Sequence, residues 1–352
     1  AKFKPSLGLY SSKDDNVIYW QLQKIAEAKQ TVAISSWWGQ GSYEDQVFDH
    51  IINDVMKRGD NPYPHLRWAI YYEIEANEDP SVDRIISDLS YLAKYASQPS
   101  YLKVDGKPVI FVYANSDHDR VDFVNRWAEA RNRSNTYIVL KVFDGWEGHK
   151  DKVDAWHQYA PAERRITNNG ASHFGVSPGF WFDGDTSPRL SRDVNDFRNA
   201  VSDMVNSNVT WKTIQTWNEW GEGTSIEPAD SFGNSYIDIL NQSLPNISTG
   251  ATGISPPTFP THFRIANSVA LLNSAQEQTF ERNGHIVDWT IPNELGSRTV
   301  YVQFKVDNVW QNPISATITL TIPSPSPTPT PIATPTPTPT STRTRTLTPT
   351  TT

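Results

Sequence analysis

The sequence has 352 residues, 39 acidic against 31 basic side chains, a formal net charge of −8, no cysteine, 13 tryptophans and 14 tyrosines. An acidic chain without a basic stripe is not built to neutralise phosphates, so no nucleic acid partner is expected, and the lack of thiols excludes disulfides, thiolate nucleophiles and cysteine-based zinc sites. No apolar run approaches the roughly 20 residues that span a bilayer, so no transmembrane segment is expected; the opening Ala1-Lys2-Phe3 is no secretory leader, and any such leader is expected to have been removed or never included.

Read from the start, Ser11-Ser12-Lys13-Asp14-Asp15 caps a helix predicted over Val17–Ala28. Short β-branched or aromatic runs then follow at Thr31–Trp38, Leu66–Glu73, Lys107–Ala114, Tyr137–Phe143, Asp154–Ala160, His173–Trp181 and Thr213–Trp217. Between them lie helical patterns, among them Tyr43–Arg58, Val82–Tyr95, Arg120–Asn132 and Val194–Asn206. This alternation predicts parallel βαβ units. Seven runs are one short of a closed barrel, so the expected fold class is α/β, a (β/α)8 TIM-type barrel lacking its first strand in this chain. Leu7–Tyr10 is the only candidate remnant of that strand, and a gap there would leave two unpaired strand edges.

Farther on, the runs Ser268–Leu272, His285–Trp289, Thr299–Val306 and Ser315–Ile322 alternate apolar with polar residues, the pattern of a small antiparallel β-sandwich. From Pro323 the composition turns to Pro, Thr and Ser, which cannot bury a core and predicts an extended linker. The expected divisions are a barrel over 1–248, an immunoglobulin-like sandwich over 255–322 serving as a spacer or weak glycan binder, and a disordered Pro/Thr-rich linker over 323–352. The linker reads either as a tether to a further C-terminal module or cell-surface anchor, or as a simple tail.

In parallel barrels the chemistry sits at the C-terminal ends of the strands. Those ends carry Trp37 and Trp38, Glu73, Tyr113, Tyr159, Trp181, and the string Trp217-Asn218-Glu219-Trp220-Gly221-Glu222-Gly223-Thr224. Glycosidic cleavage needs two carboxyl groups, one protonated for the leaving oxygen and one ionised. Glu219 and Glu222 are spaced as neighbours on one turn, where like charge raises one pKa so that it can act as an acid. A Glu-x-x-Glu alone is also common on exposed helices. Its place after the last strand, between tryptophans and glycines, distinguishes this one. Glu227, before Pro228, is a rival acid with an expected supporting role. The abundant aromatic rings suit stacking on sugars, and equally suit core packing. The eight histidines show no ligand spacing, so neither a metal nor another cofactor is expected.

The string from Trp217 to Pro228, together with Ser35-Ser36-Trp37-Trp38-Gly39 and Tyr10-Ser11-Ser12, resembles the endo-α-mannosidases of glycoside hydrolase family 99, in order from about Leu7 to Asp230. The resemblance implies an endo-acting, retaining cleavage of α-mannosidic linkages without metal. On the mechanism proposed for that family, Glu219 would take the proton of the sugar 2-hydroxyl, whose oxygen then attacks the anomeric carbon. Glu222 would protonate the leaving oxygen and later activate water. Trp38 or Trp37 would form a stacking wall, and Glu73, Tyr113, Tyr159 and Asn218 would contact the substrate, an oligosaccharide or polysaccharide such as mannan or an N-glycan. Gly221 stands where the family pattern often has His, which leaves room for a different linkage or sugar. The linker and β-module imply an extracellular or cell-surface protein. The competing expectation is a barrel that has lost activity and binds carbohydrate, or one that hydrolyses another α-glycan.

Overall fold

The computed structural model describes residues 1–59, 61–115, 120–167, 172–246, 261–280, 289–306 and 308–321. The predicted linker and most of the run His285–Trp289 therefore lie outside the described residues.

Helix α1 (Asp15–Glu27) starts where Asp14 accepts a hydrogen bond from the Asn16 amide, and strand β1 (Val32–Trp37) follows it. Helix α2 (Tyr43–His50), capped by Ser42, continues into a π-helical turn at Ile51–Val55. Next come β2 (Arg67–Tyr72), α3 (Val82–Ala96, capped by Ser81), the short β3 (Lys103–Val104) and β4 (Lys107–Val112). Helix α4 (Arg120–Arg133), β5 (Tyr137–Lys141), β6 (Ala155–His157), β7 (Arg165–Thr167) and β8 (His173–Val176) lead to α5 (Val194–Asn206), whose cap Asp193 accepts from two amides. Strand β9 (Trp211–Ile214) and helix α6 (Ser235–Ser243) complete this part.

Strands β1, β2, β4, β5 and β6 lie side by side in parallel, and β8 pairs in parallel with β9. Each of these seven strands overlaps one of the seven runs of the sequence, though β8 stops at Val176, short of Trp181, and β9 begins at Trp211 and ends at Ile214, so it shares only Thr213 and Ile214 with the run Thr213–Trp217. No ladder joins β6 to β8, although the His157 and His173 rings lie 6.3 Å apart across that seam. Among the described residues β1 and β9 have no ladder partner on their other edges. The segment before α1 runs instead beside the chain after β9, with the Ser6 amide donating to the Pro228 carbonyl and the Asp230 amide to that of Lys4.

Side chains alternate across each strand. Ile70 and Tyr72, Ile110 and Val112, and Ile138 and Leu140 face the helices, where they pack with Trp37, Phe48, Leu92, Phe123 and Trp127. The intervening Ala69, Val109, Phe111 and Val139 form a small core inside the barrel against Tyr71, Tyr137 and Trp211. Burial on both faces is what the near-continuous apolar runs encode; each fully buried Ile, Leu or Phe contributes about 1.5–3 kcal/mol. The inward parity, carried just past the strand ends, brings Ser36, Trp38, Glu73, Tyr113, Lys141 and Tyr159 to the C-terminal mouth.

A separate antiparallel sheet contains β10 (His262–Ala266), β11 (Gln278–Thr279), β12 (Gly296–Val306), β13 (Val309–Trp310) and β14 (Ile314–Leu320), with helix α7 (Val269–Leu272) after β10. The run expected as a strand at Ser268–Leu272 is this helical turn. Val269-Ala270-Leu271-Leu272 lacks a true two-residue alternation, and only Leu272 of the four is buried. The strand is His262–Ala266, where Phe263 and Ile265 are buried and the backbone pairs with β12. Among the described residues no helix is long and apolar enough to cross a membrane.

Candidate active site

The inward parity gathers the first half of the site. Ser36 donates to Glu73 Oε1 at 2.8 Å, and Glu73 is buried at the end of β2. The rings of Tyr71, Tyr113 and Tyr159 form a triangle with centroids 6.0–6.4 Å apart. Tyr71 is hydrogen-bonded to His157 Nε2 at 2.8 Å, and Tyr159 donates to Glu222 Oε2 at 2.5 Å. Lys141 Nζ lies 4.3 Å from the centre of the Tyr113 ring and donates to the Ala114 carbonyl.

The second half is the loop after β9, which folds back on itself. The Thr216 amide donates to the Thr224 carbonyl, the two hydroxyls meet at 2.8 Å, and Thr216 Oγ1 accepts from the Glu219 amide. Glu219 and Glu222 thus sit on one short turn closed at its base, as their spacing predicted. Gln215, joined to Thr216 by a cis peptide, grips the neighbouring strand end by donating to the Gln158 carbonyl and accepting from the Ala160 amide, which fixes the segment that carries Tyr159.

Neighbouring chain clamps the turn from outside. The amides of Trp181 and Asp183 donate to the carbonyls of Glu222 and Gly221, and Arg192 Nη2 donates to those of Gly223 and Ser225. Gly223 has a φ of +63°, and a Cβ there would lie 2.7 Å from the Trp181 carbonyl oxygen, so only glycine fits. Gly221 differs: its φ is not in the left-handed region, and outside its chain neighbours a Cβ would meet no atom within 4 Å.

Three carboxyl groups share the mouth. Burial raises Glu222, against the donors of Tyr159 and Thr224 and the charge of Arg189. The surrounding protein raises Glu219 first and the charge of Glu222 adds to it, although Glu219 remains the most open of the three to solvent. Burial pushes Glu73 up to about 7 against the Ser36 hydroxyl, with both other glutamates adding. The ionised neighbours thus disfavour ionisation of Glu73 and of Glu219, and Glu73, at about 7, keeps a protonated fraction near neutral pH. Among the described residues no group of three or more acidic or histidine side chains is placed to hold a metal ion.

Of the aromatic wall expected from Trp37 and Trp38, only Trp38 reaches the surface, at 44 % exposure. Trp37 is fully buried on the helix side with its Nε1 donated to Asp45, so it cannot stack on a substrate. This corrects the expectation, and the cause is strand parity: Ser36 and Trp38 face in, Trp37 faces out. Asp45 also accepts from the Gly41 amide and the hydroxyls of Tyr91 and Tyr95, which fixes the loop that carries Trp38. Glu73, Tyr113 and Tyr159 all come to the mouth, and Asn218 is exposed next to Glu219. Glu227 stands behind them, fully buried. It accepts from the Tyr10 hydroxyl at 2.7 Å and is pushed up to about 7 by burial, against the donors of Tyr10, Gln21 and Trp220. Ser36, Lys141 and His157 have no site role in the sequence reading. Applying the two-residue parity to each strand end finds all of them, since His157 shares the inward phase of Ala155 and Tyr159.

Residues 1–142 match the family model described as glycosyl hydrolase family 99, and residues 182–240, which include both motif glutamates, match the model described as glycosyltransferase WbsX. The uncharacterized protein WxcX of Xanthomonas campestris pv. campestris strain B100 is 23% identical over 239 residues, covering 53% of this chain and 34% of the relative. Mouse glycoprotein endo-alpha-1,2-mannosidase is 23% identical over 275 residues, covering 65% of this chain and 57% of the relative. The chain thus spans between a third and three fifths of the length of these curated relatives. Among solved structures, the GH99 endo-alpha-mannosidase from Bacteroides thetaiotaomicron superposes with a TM-score of 0.54 at 20% identity, covering 68% of this chain and 81% of that one. A glycoside hydrolase-like protein gives a TM-score of 0.53 at 14% identity, covering 70% of this chain and 90% of that one. The fold is the (β/α) barrel of these proteins, and the resemblance to the endo-α-mannosidase family read from the sequence holds.

Proposed function

We propose that the barrel mouth is a retaining endo-glycosidase site acting on internal α-mannosidic linkages of mannan or N-glycan-type oligosaccharides. The observation that carries this reading is the closed turn holding Glu219 and Glu222 together at the C-terminal mouth, with Glu222 bonded to Tyr159 and both acids raised. The named activity of the mouse relative and the family model over residues 1–142 support the choice of sugar.

In this reading Glu219, the more open acid, takes the proton of the sugar 2-hydroxyl, and that oxygen attacks the anomeric carbon as the bond to the leaving sugar breaks. Glu222, raised by burial, gives its proton to the leaving oxygen. It then takes a proton from water, which opens the intermediate and restores the original anomeric configuration. An axial 2-hydroxyl, as in mannose, can reach the face opposite an α leaving group. Tyr159 holds one Glu222 oxygen in place, and Trp38 offers a face for stacking at the rim. The Pro/Thr segment and the antiparallel sheet support an extracellular or cell-surface location. Recovery of the native protein from the soluble cytoplasm would contradict that location.

The test is hydrolysis of a panel of α-mannan oligosaccharides by the wild type, Glu219→Gln and Glu222→Gln, reading product size and anomeric configuration. Internal cleavage with retention, lost in either variant, and failure on a 2-deoxy sugar at the cleavage site are the expected results. A folded wild type that binds the sugar without cutting it would mean a binding protein. The match of residues 182–240 to a glycosyltransferase model favours a second reading, transfer of the glycosyl group to a sugar instead of water. Elongated products in the presence of acceptor mannosides would select it.

A further inference from the structure

We propose that Glu227 is a positioning residue that fixes, through Tyr10, the amide of Asn218 so that its oxygen is presented to the substrate beside Glu219. This rests on the functional reading above only for its kinetic consequence.

Hydrogen-bond polarity fixes the direction of this relay. A carboxylate oxygen accepts and does not donate, whereas a tyrosine hydroxyl has a single proton and lone pairs. Tyr10 gives that proton to Glu227 Oε2 at 2.7 Å. Its oxygen can therefore only accept on its other side, and Asn218 Nδ2 donates to it at 3.3 Å. The choice between the two ends of an Asn side chain is set by its network, and here the network admits only the NH2 end toward Tyr10. Asn218 Oδ1 has no hydrogen-bond partner among the described residues and is left as an acceptor for a sugar hydroxyl. A proton on Glu227 would not reverse the chain, since Oε1, which makes no hydrogen bond of good geometry, can carry it while Oε2 goes on accepting. Trp220 Nε1 lies near both groups and makes a well-aligned bond with neither.

Backbone holds the two ends of the relay in register. The Glu227 amide donates to the Trp217 carbonyl, tying it to the residue before Asn218, and the Ser6 amide donates to the Pro228 carbonyl, tying the Tyr10 segment to the residue after Glu227. A fully buried acid is a costly residue if packing alone were its purpose, because an amide of the same size would fill the space with less desolvation. The oxygen that meets Tyr10 differs from an amide NH2 in one respect: as a carboxylate oxygen, or as the unprotonated oxygen of the acid, it accepts and does not donate. Glutamine at this position can turn an NH2 toward Tyr10, which would then donate to Asn218 and turn the Asn218 oxygen inward.

The experiment compares wild type, Glu227→Gln, Tyr10→Phe and Asn218→Ala, and both first changes in the Asn218→Ala background, after thermal melts confirm folding. Its first readout is the side-chain amide resonances of Asn218, identified by their loss in Asn218→Ala. They are expected to shift in Glu227→Gln and in Tyr10→Phe, and unchanged resonances in both would overturn the proposal. The second readout is kcat/KM on the α-mannoside panel. Each single change is expected to lower it about ten-fold, and neither is expected to lower it further once Asn218 is alanine. Additive losses in that background would assign Glu227 to general stability and overturn the positioning role. If the wild type cleaves no mannoside, the functional reading fails while the resonances still decide the relay.

Discussion

Glu73 and Glu75 lie two residues apart at the end of the same strand, both are buried, and burial pushes both up to about 7, yet they serve opposite ends. Both Glu75 oxygens are taken, one by Arg126 Nη2 and one by Trp127 Nε1, each at 2.7 Å, and Arg126 is held in turn by Asp79 and Asp122. Glu73 has one serine donor and a field shared with Glu219 and Glu222, with Lys141 pulling the other way. Burial sets the acidity of both; the partners decide whether the acid is spent on holding α4 to the barrel or left with a free oxygen at the mouth.

The contrast is broken or sharpened most strongly by removing charges on either side of it. Glu219→Gln or Glu222→Gln is expected to lower kcat by about 10³ or more, while the melting temperature holds or rises because like charges are relieved. Glu75→Gln is expected to do the reverse, costing about 3 kcal/mol in urea unfolding because the buried Arg126 loses its buried carboxylate partner and is left with the exposed Asp79 and Asp122, with kcat of the folded protein intact. Loss of activity in folded Glu75→Gln would end the distinction.

Titration gives the next effect. The Glu73 pKa of about 7 lies above its ordinary 4.5, so the folded state binds more protons than the unfolded one between those values. The stability this group contributes is present below about 4.5 and lost as pH rises through 7, a swing of at most about 3 kcal/mol. Glu73→Gln should therefore gain on the wild type in urea midpoints between pH 5 and pH 8. A difference constant with pH would show that Glu73 is not held protonated by its surroundings.

Smaller effects separate adjacent tryptophans. Trp38→Ala should raise KM roughly ten-fold, about 1.4 kcal/mol of stacking, at unchanged stability, whereas Trp37→Ala should cost roughly 3–5 kcal/mol of stability as a core cavity. The smallest effect is expected at Gly221→His. Stability should stay within about 0.5 kcal/mol in thermal melts, while the pH profile of kcat/KM moves as an imidazole enters the field of the two acids.

Much of this was legible beforehand. The seven strand runs and the helices between them follow from apolar periodicity, because a strand buried on both faces leaves a continuous signature. The turn that carries Glu219 and Glu222 could be read from Trp217 to Thr224 because its residues are chemically unusual together. What could not be read were the pairings. Trp37 and Trp38 are identical in composition terms, and only the phase of the strand tells them apart. Arg126 finds Glu75, and Tyr10 finds Glu227, across 51 and 217 residues of chain, distances over which no local pattern acts. Helix α6 is weakly encoded because it spans only nine residues, and Asn234, a preferred cap type, makes no side-chain cap bond. The misplaced strand at Ser268–Leu272 shows the weakness of short apolar runs, where four residues fit a helical turn as well as a strand.

The two glycines of the turn that carries Glu219 and Glu222 have different histories ahead of them. Gly223 is frozen, because any side chain would strike the Trp181 backbone, and a lineage that changed it would first lose the fold. Gly221, two residues away and flanked by Trp220 and Glu222, faces open space, so the scaffold imposes no selection on what stands there. Of the two glycines, Gly221 is thus the one where the backbone and its neighbours leave room for a side chain beside Glu219 and Glu222.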